Sequence, residues 1–285
     1  MNSGVIFAVL CLFFSGLNDF VFKKYSTVAF RSRGMFVSMI GLFWFIFQML
    51  FYWVTGGTGG ITLQALGYAL LPGLFVFLSN ILLIESMTVL DASTGSTIYR
   101  LNTVLVIILS ILLLHEKLRL INLAGIMISV IAVLFLFERN KADADKRFWL
   151  YLIIGITASV FRSLYAVSSK FLISGGTDKK AIIIMSSLFW FIGGALYALI
   201  REKNCKITII SFKYSLISGL LIFMVAVFLF YAIESANISI VIPISNMGFL
   251  ITYILAISWG IEKLTFRKMS ALLLSVIAII MLSVS

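Results

Sequence analysis

Asp19, Glu85, Arg100, Arg162 and Glu234 are ionisable residues set inside or at the ends of long apolar runs. Such a side chain in hydrocarbon costs roughly 2.5–3.5 kcal/mol on insertion scales and normally faces a partner or a wet cavity. Each is therefore a candidate for a substrate pathway or gate. Counting along the runs, Asp19, Glu85 and Arg100 approach one membrane face, while Arg162, Glu234 and Asn246 approach the other. Two such clusters would suit two gates, with Arg100 expected to pair with Glu85 or Asp19 when its side is closed. The competing reading is that Arg100 and Arg162 only snorkel to headgroups on their long apolar stems. Asp19 and Glu85 are also the carboxyls that could carry a coupling proton, since burial and a nearby arginine act oppositely on protonation.

Spacing adds polar residues to these charges. Ser93, Ser96 or Thr97, Arg100, Thr103 and Ser110 recur at three- or four-residue intervals with one apolar break, which places them on one helical stripe. Arg162, Tyr165 and Ser169 form a second stripe, and Cys11, Ser15 and Asn18 or Asp19 a third. Trp44 and Trp190 lie mid-run, where an indole could stack on an aromatic or cationic substrate or simply pack. Glu116 and Glu262 fall at turns beside Lys117 and Lys263, which reads as a cap or loop salt bridge rather than a substrate contact.

Other chemistries lack their residues. His115 is the one histidine, and Cys11 and Cys205 offer no metal-ligand spacing. Gly56-Gly57-Thr58-Gly59-Gly60 lacks the lysine and hydroxyl of a phosphate loop. No nucleophile stands beside a base, so neither an enzyme nor a cofactor is expected, and an intramembrane lipid-modifying enzyme is the disfavoured alternative.

The elements that must position these residues are membrane helices. The chain has 285 residues, 62% apolar and 12% charged, with mean hydropathy +1.14. A soluble domain is roughly 45–50% apolar and 25% charged, so a lipid solvent is required. Apolar runs predict ten spans, over 3–22, 34–54, 66–87, 94–114, 120–137, 148–168, 181–200, 212–233, 240–260 and 269–284. They are too long and unalternating for barrel strands, so the fold class is all-α. The first run begins without a basic leader and is read as a span rather than a removable signal.

A shift of 146 residues overlays the halves without a gap. Leu42-Phe43-Trp44-Phe45-Ile46 falls on Leu188-Phe189-Trp190-Phe191-Ile192, Glu116-Lys117-Leu118 on Glu262-Lys263-Leu264, and Arg100 on Asn246. With five spans per unit, residues 147–285 enter the bilayer from the opposite side to residues 1–139. The expectation is two inverted five-helix repeats, an arrangement that can exchange conformations around a midplane site.

Ser15-Gly16-Leu17-Asn18-Asp19-Phe20-Val21, Leu114-His115-Glu116-Lys117-Leu118-Arg119, Trp259-Gly260-Ile261-Glu262-Lys263-Leu264 and Pro243 carry a family likeness. With the ten spans and the repeat, the chain resembles the EamA-type transporters of the drug/metabolite transporter superfamily. The Trp-Gly usual in the first helix is absent, and Thr97 stands where the fourth helix would repeat Pro243. The resemblance implies a secondary transporter, commonly an exporter of amino acids, metabolites or drugs, with helices 1–4 and 6–9 around a cavity and helices 5 and 10 peripheral. The intramembrane arginines add anionic metabolites as an alternative cargo. Expected partners are a small-molecule substrate, membrane lipid and a second copy in a homodimer.

The net charge of +11 is carried in short loops beside lipid, so nucleic acid is not an expected partner. With ten spans, five loop cations lie on the face of the termini and fifteen on the other. That bias puts both termini outside the cell membrane, whereas the resemblance implies both inside.

Overall fold

The computed structural model describes residues 3–26, 32–55, 57, 61–87, 89–90, 98–135, 146–260 and 265–283. Ser93, Ser96, Thr97 and Glu262 lie outside the described residues. Among the described residues eleven α-helices follow in order: α1 Ser3–Ser26, α2 Arg33–Val54, α3 Leu63–Ser86, α4 Asn102–Leu114, α5 Leu120–Leu134, α6 Lys146–Ser174, α7 Lys179–Tyr197, α8 Ile209–Ser235, α9 Ile238–Asn246, α10 Phe249–Ser258 and α11 Phe266–Ser283. No strand occurs among the described residues. Among the described residues, seven segments are long and apolar enough to cross a bilayer, including Ile238–Ser258, which contains both α9 and α10. Three further apolar helices, Ile98–Leu114, Leu120–Leu134 and Met269–Ser283, are shorter than the roughly 20 residues a span takes. The expected count of ten is thus met in full length by seven.

The packing exchanges the two halves of the chain. α1 packs on α8 as α3 packs on α6, α2 on α8 as α3 on α7, and α1 on α9 and α10 as α4 on α6. α2 and α7 pack on one another, as do α5 and α11. α2 and α7 run antiparallel, because Gly34 meets Ala198, Gly41 meets Phe191, and the Lys180 ammonium lies 5.6 Å from the Tyr52 ring centre. Glycine permits this closeness: a Cβ on Gly41 would sit 2.4 Å from the backbone nitrogen of Phe191. Trp44 and Trp190 meet edge to face across the seam, with centroids 5.8 Å apart.

Two glutamates tie helix starts across the halves. Glu116 accepts from the backbone N–H groups of Ile238 (2.8 Å) and Ser239 (3.1 Å) and from the Ser239 hydroxyl. Glu202, at the end of a π-helical turn that extends α7, accepts from Ser32 Oγ (2.6 Å), Arg33 N (3.0 Å) and Gly34 N (3.1 Å). Each carboxylate meets N–H groups left unpaired at a helix start, where the helix dipole also favours negative charge. Lys170 does the converse, donating to the carbonyls of Ile233 (2.5 Å) and Ala236 (3.1 Å) where α8 ends.

Candidate functional site

The site begins with a broken helix. Pro243 cannot donate a backbone hydrogen bond, and the α9–α10 segment is interrupted at Met247 and Gly248. Leu250 N donates to Met247 O rather than to the carbonyl of Asn246. Gly248 lets the interrupted backbone touch α1, where a Cβ on Gly16 would lie 2.3 Å from the Gly248 carbonyl oxygen. The Asn246 carbonyl is left without a helical partner, and the Arg100 guanidinium donates to it. The same guanidinium forms an ion pair with Asp19 and lies 5.5 Å from the Phe249 ring centre. Asn246 Nδ2 then donates to Asn102 Oδ1 and Thr103 Oγ1, each at 2.8 Å.

α6 fixes the entry of α4 by two hydroxyls. Ser159 Oγ donates to the carbonyl of Ile98 (2.7 Å), and Ser163 Oγ to that of Asn102 (3.1 Å). Between these two serines in α6, Arg162 lies 5.4 Å from the Tyr165 ring centre and 5.7 Å from that of Tyr99. Arg162 has no carboxylate partner among the described residues.

Between these elements lies a small cavity of about 40 Å³. Its polar wall comes from Cys11 and Ser15 of α1, Asn102 of α4, Arg162, Tyr165 and Ser169 of α6, and Ser245 and Asn246 of α9. α8 gives the apolar wall, including Val225, Leu229 and Phe230. The Ser169 and Ser245 hydroxyls are buried there without a hydrogen-bond partner. Ligand pockets usually hold about 300–1,000 Å³, so this state encloses a polar space of water size and no room for a metabolite.

The other predicted residues are distributed around it. Glu85 accepts from Arg201 Nε (2.8 Å) and Tyr197 OH (3.2 Å), in a contact between α3 and the end of the α7 segment. Glu234 is ion-paired with Lys179, whose ammonium lies 3.7 Å from the Tyr231 ring centre. Asn18 is buried with its Oδ1 unpartnered. Trp44 and Trp190 are buried on one another and do not line the cavity. The expected split into two separate clusters is therefore altered: Arg100 and Asn246, placed at opposite faces by counting, touch. The reason is the helix break, which frees a carbonyl mid-segment, and the reach of the arginine side chain. Sequence reasoning missed Asn102, Ser245 and Glu202. Only the closeness of Pro243 to Gly248 signalled a break beside Ser245 and Asn246.

Among the described residues there is no cluster of three or more His, Cys, Asp or Glu able to hold a metal ion. Comparison with known proteins places these observations. A solved crystal structure superposes with a TM-score of 0.82 over 99% of this chain and 95% of its own, at 12% identity, which establishes a shared fold. A protein of Methanocaldococcus jannaschii, described as uncharacterized, is 37% identical over 91 residues, which is 32% of this chain. The chain spans 66% of the length of that relative. Members of the EamA-like transporter family are transporters and not enzymes. Over residues 2–138, just under half of its length, this membrane protein matches the EamA-like transporter family.

Proposed function

We propose that the protein is a secondary active transporter that exports small metabolites or amino acids by alternating access, with coupling to protons or by exchange. Residues 1–139 and 147–285 act as two inverted five-helix units in the cell membrane, the three shorter apolar helices completing ten crossings. The exchange of packing partners between halves and the antiparallel α2–α7 seam support that reading. The observation that carries it is the small polar-walled cavity between α1, α4, α6, α8 and α9, whose lining residue Asn246, at the break of the α9–α10 segment, offers its carbonyl to the arginine of the Arg100–Asp19 pair. Broken helices at membrane depth occur where backbone lines a cavity or is buried in protein. Asn18, Asp19, Arg100, Thr103, Arg162, Tyr165 and Asn246, with Ser96, are the pathway residues of this scheme, and Glu85 and Glu234 hold helix ends that must separate.

Cys11 supplies a native probe. It is buried on the cavity wall, while Cys205 is exposed. In a Cys205→Ser background in proteoliposomes, a small water-soluble thiol reagent is expected to modify Cys11 from either side, slowly, and substrate is expected to change the rate. Uptake or efflux of a metabolite pool from the same vesicles tests transport directly. A Cys11 that never reacts, together with no flux, overturns alternating access.

A further inference from the structure

We propose that Arg162 is the oxyanion-binding group of the cavity, and that the substrate is a small amphipathic molecule carrying one oxyanion and no ammonium. This rests on the transport reading above and narrows its cargo to metabolites, setting amino acids aside. The charges around the cavity decide the sign. Arg100 is spent on Asp19 and on the Asn246 carbonyl. Arg162 faces two tyrosine rings and no carboxylate among the described residues. The described lining thus carries one uncompensated positive charge and no acid to receive an amine. The Ser169 and Ser245 hydroxyls, buried without partners on the same wall, supply neutral donors of the kind an oxyanion collects. The apolar α8 wall and the tyrosine rings accommodate a hydrocarbon body beside the anion. A bound oxyanion would give the guanidinium the partner it lacks, so the charge is useful in a substrate-loaded state and is only stacked in this one.

The purified protein in phosphatidylcholine nanodiscs is tested by thermal unfolding with five probes. Hydrocinnamate and phenyl phosphate carry the oxyanion, benzyl alcohol is neutral, phenethylamine is cationic, and phenylalanine adds an ammonium to the hydrocinnamate skeleton. The two oxyanions are expected to raise the unfolding temperature, since a ligand of the native state stabilises it. Phenylalanine is expected to bind on the order of tenfold more weakly than hydrocinnamate, and the other two not at all. R162Q is expected to weaken both oxyanions by tenfold or so, and R162K to restore part of the affinity. A phosphatidylglycerol nanodisc separates sources: stabilisation there alone, lost in R162Q, keeps the oxyanion site and assigns it to a lipid headgroup. Equal stabilisation by the amine, unchanged oxyanion binding in R162Q, or no response to either oxyanion together with no R162Q-sensitive stabilisation by phosphatidylglycerol overturns the assignment. Flux in proteoliposomes separates this from the parent reading. Amine transport insensitive to R162Q removes the oxyanion site and leaves a transporter, whereas oxyanion binding without flux leaves the site and removes transport.

Discussion

Arg100 and Arg162 are the same side chain in neighbouring helices of one bundle, and their surroundings give them different work. Arg100 holds a carboxylate and a backbone carbonyl that a broken helix cannot satisfy itself. Arg162 lies between Tyr99 and Tyr165, with hydroxyls nearby and no acid among the described residues. An intramembrane arginine is costly in either place. The first offsets that cost within the protein, so it belongs to the closed structure. The second offsets only part of it through ring contacts, which are worth about 0.5–2 kcal/mol. What separates a structural arginine from a ligand-seeking one is the count of its internal partners, not its depth.

The largest effect expected from that contrast is at the Arg100 pair. Arg100→Gln strands Asp19 and leaves the Asn246 carbonyl unsatisfied. Breaking a fully buried pair costs roughly 3–5 kcal/mol. Asp19 keeps 34% of its side chain exposed, against 14% for Arg100, so we expect about 2–3 kcal/mol after solvent screening. Chemical unfolding in detergent, followed by tryptophan fluorescence, measures it. Asp19→Asn combined with Arg100→Gln is expected to cost less than the two single changes summed, because the pair couples. Additive losses would make the ion pair a bystander.

Asn246→Leu comes next. It removes the amide that serves both Asn102 Oδ1 and Thr103 Oγ1, leaving two buried acceptors short of a donor. A loss of about 1–3 kcal/mol is expected in the same unfolding assay. Its backbone carbonyl stays, so the Arg100 contact should survive, and the double change with Arg100→Gln should be close to additive apart from shared relaxation. Phe249→Leu then removes the ring beside Arg100 while keeping an apolar side chain at a buried position. It is expected to cost about 1 kcal/mol, part from the cation–ring contact and part from packing.

Much of this frame is legible in the residues. The 146-residue register places Trp44 opposite Trp190 in sequence, and the structure packs the two indoles together on the antiparallel α2–α7 seam. Arg162, Tyr165 and Ser169 share a stripe by helical spacing alone, and that stripe lines the cavity. The meeting of Arg100 with Asn246 was not legible, because counting along ideal helices cannot see a break that exposes a carbonyl. Glu202 was hidden for a related reason. It reads as one charge in a basic loop until a π-helical turn carries it onto the first N–H groups of α2. Asn102 and Ser245 carry no sequence signal beyond being polar within an apolar run.

Arg162→Gln in the absence of any ligand is the smallest expected effect and the sharpest comparison with Arg100→Gln. No carboxylate is stranded, and the stacked guanidinium is replaced by an amide that is less costly to bury. Lost ring contact and relieved desolvation oppose each other, so stability is expected to stay within about 0.5 kcal/mol, the range of substitutions that break no essential contact. The measurement is the same unfolding experiment, run beside Arg100→Gln at equal detergent and protein concentration. A loss as large as that at Arg100 would mean that Arg162 is held by the closed fold and is not waiting for a partner. A small effect, combined with a pronounced loss of oxyanion binding, is the pattern that structural packing alone does not produce.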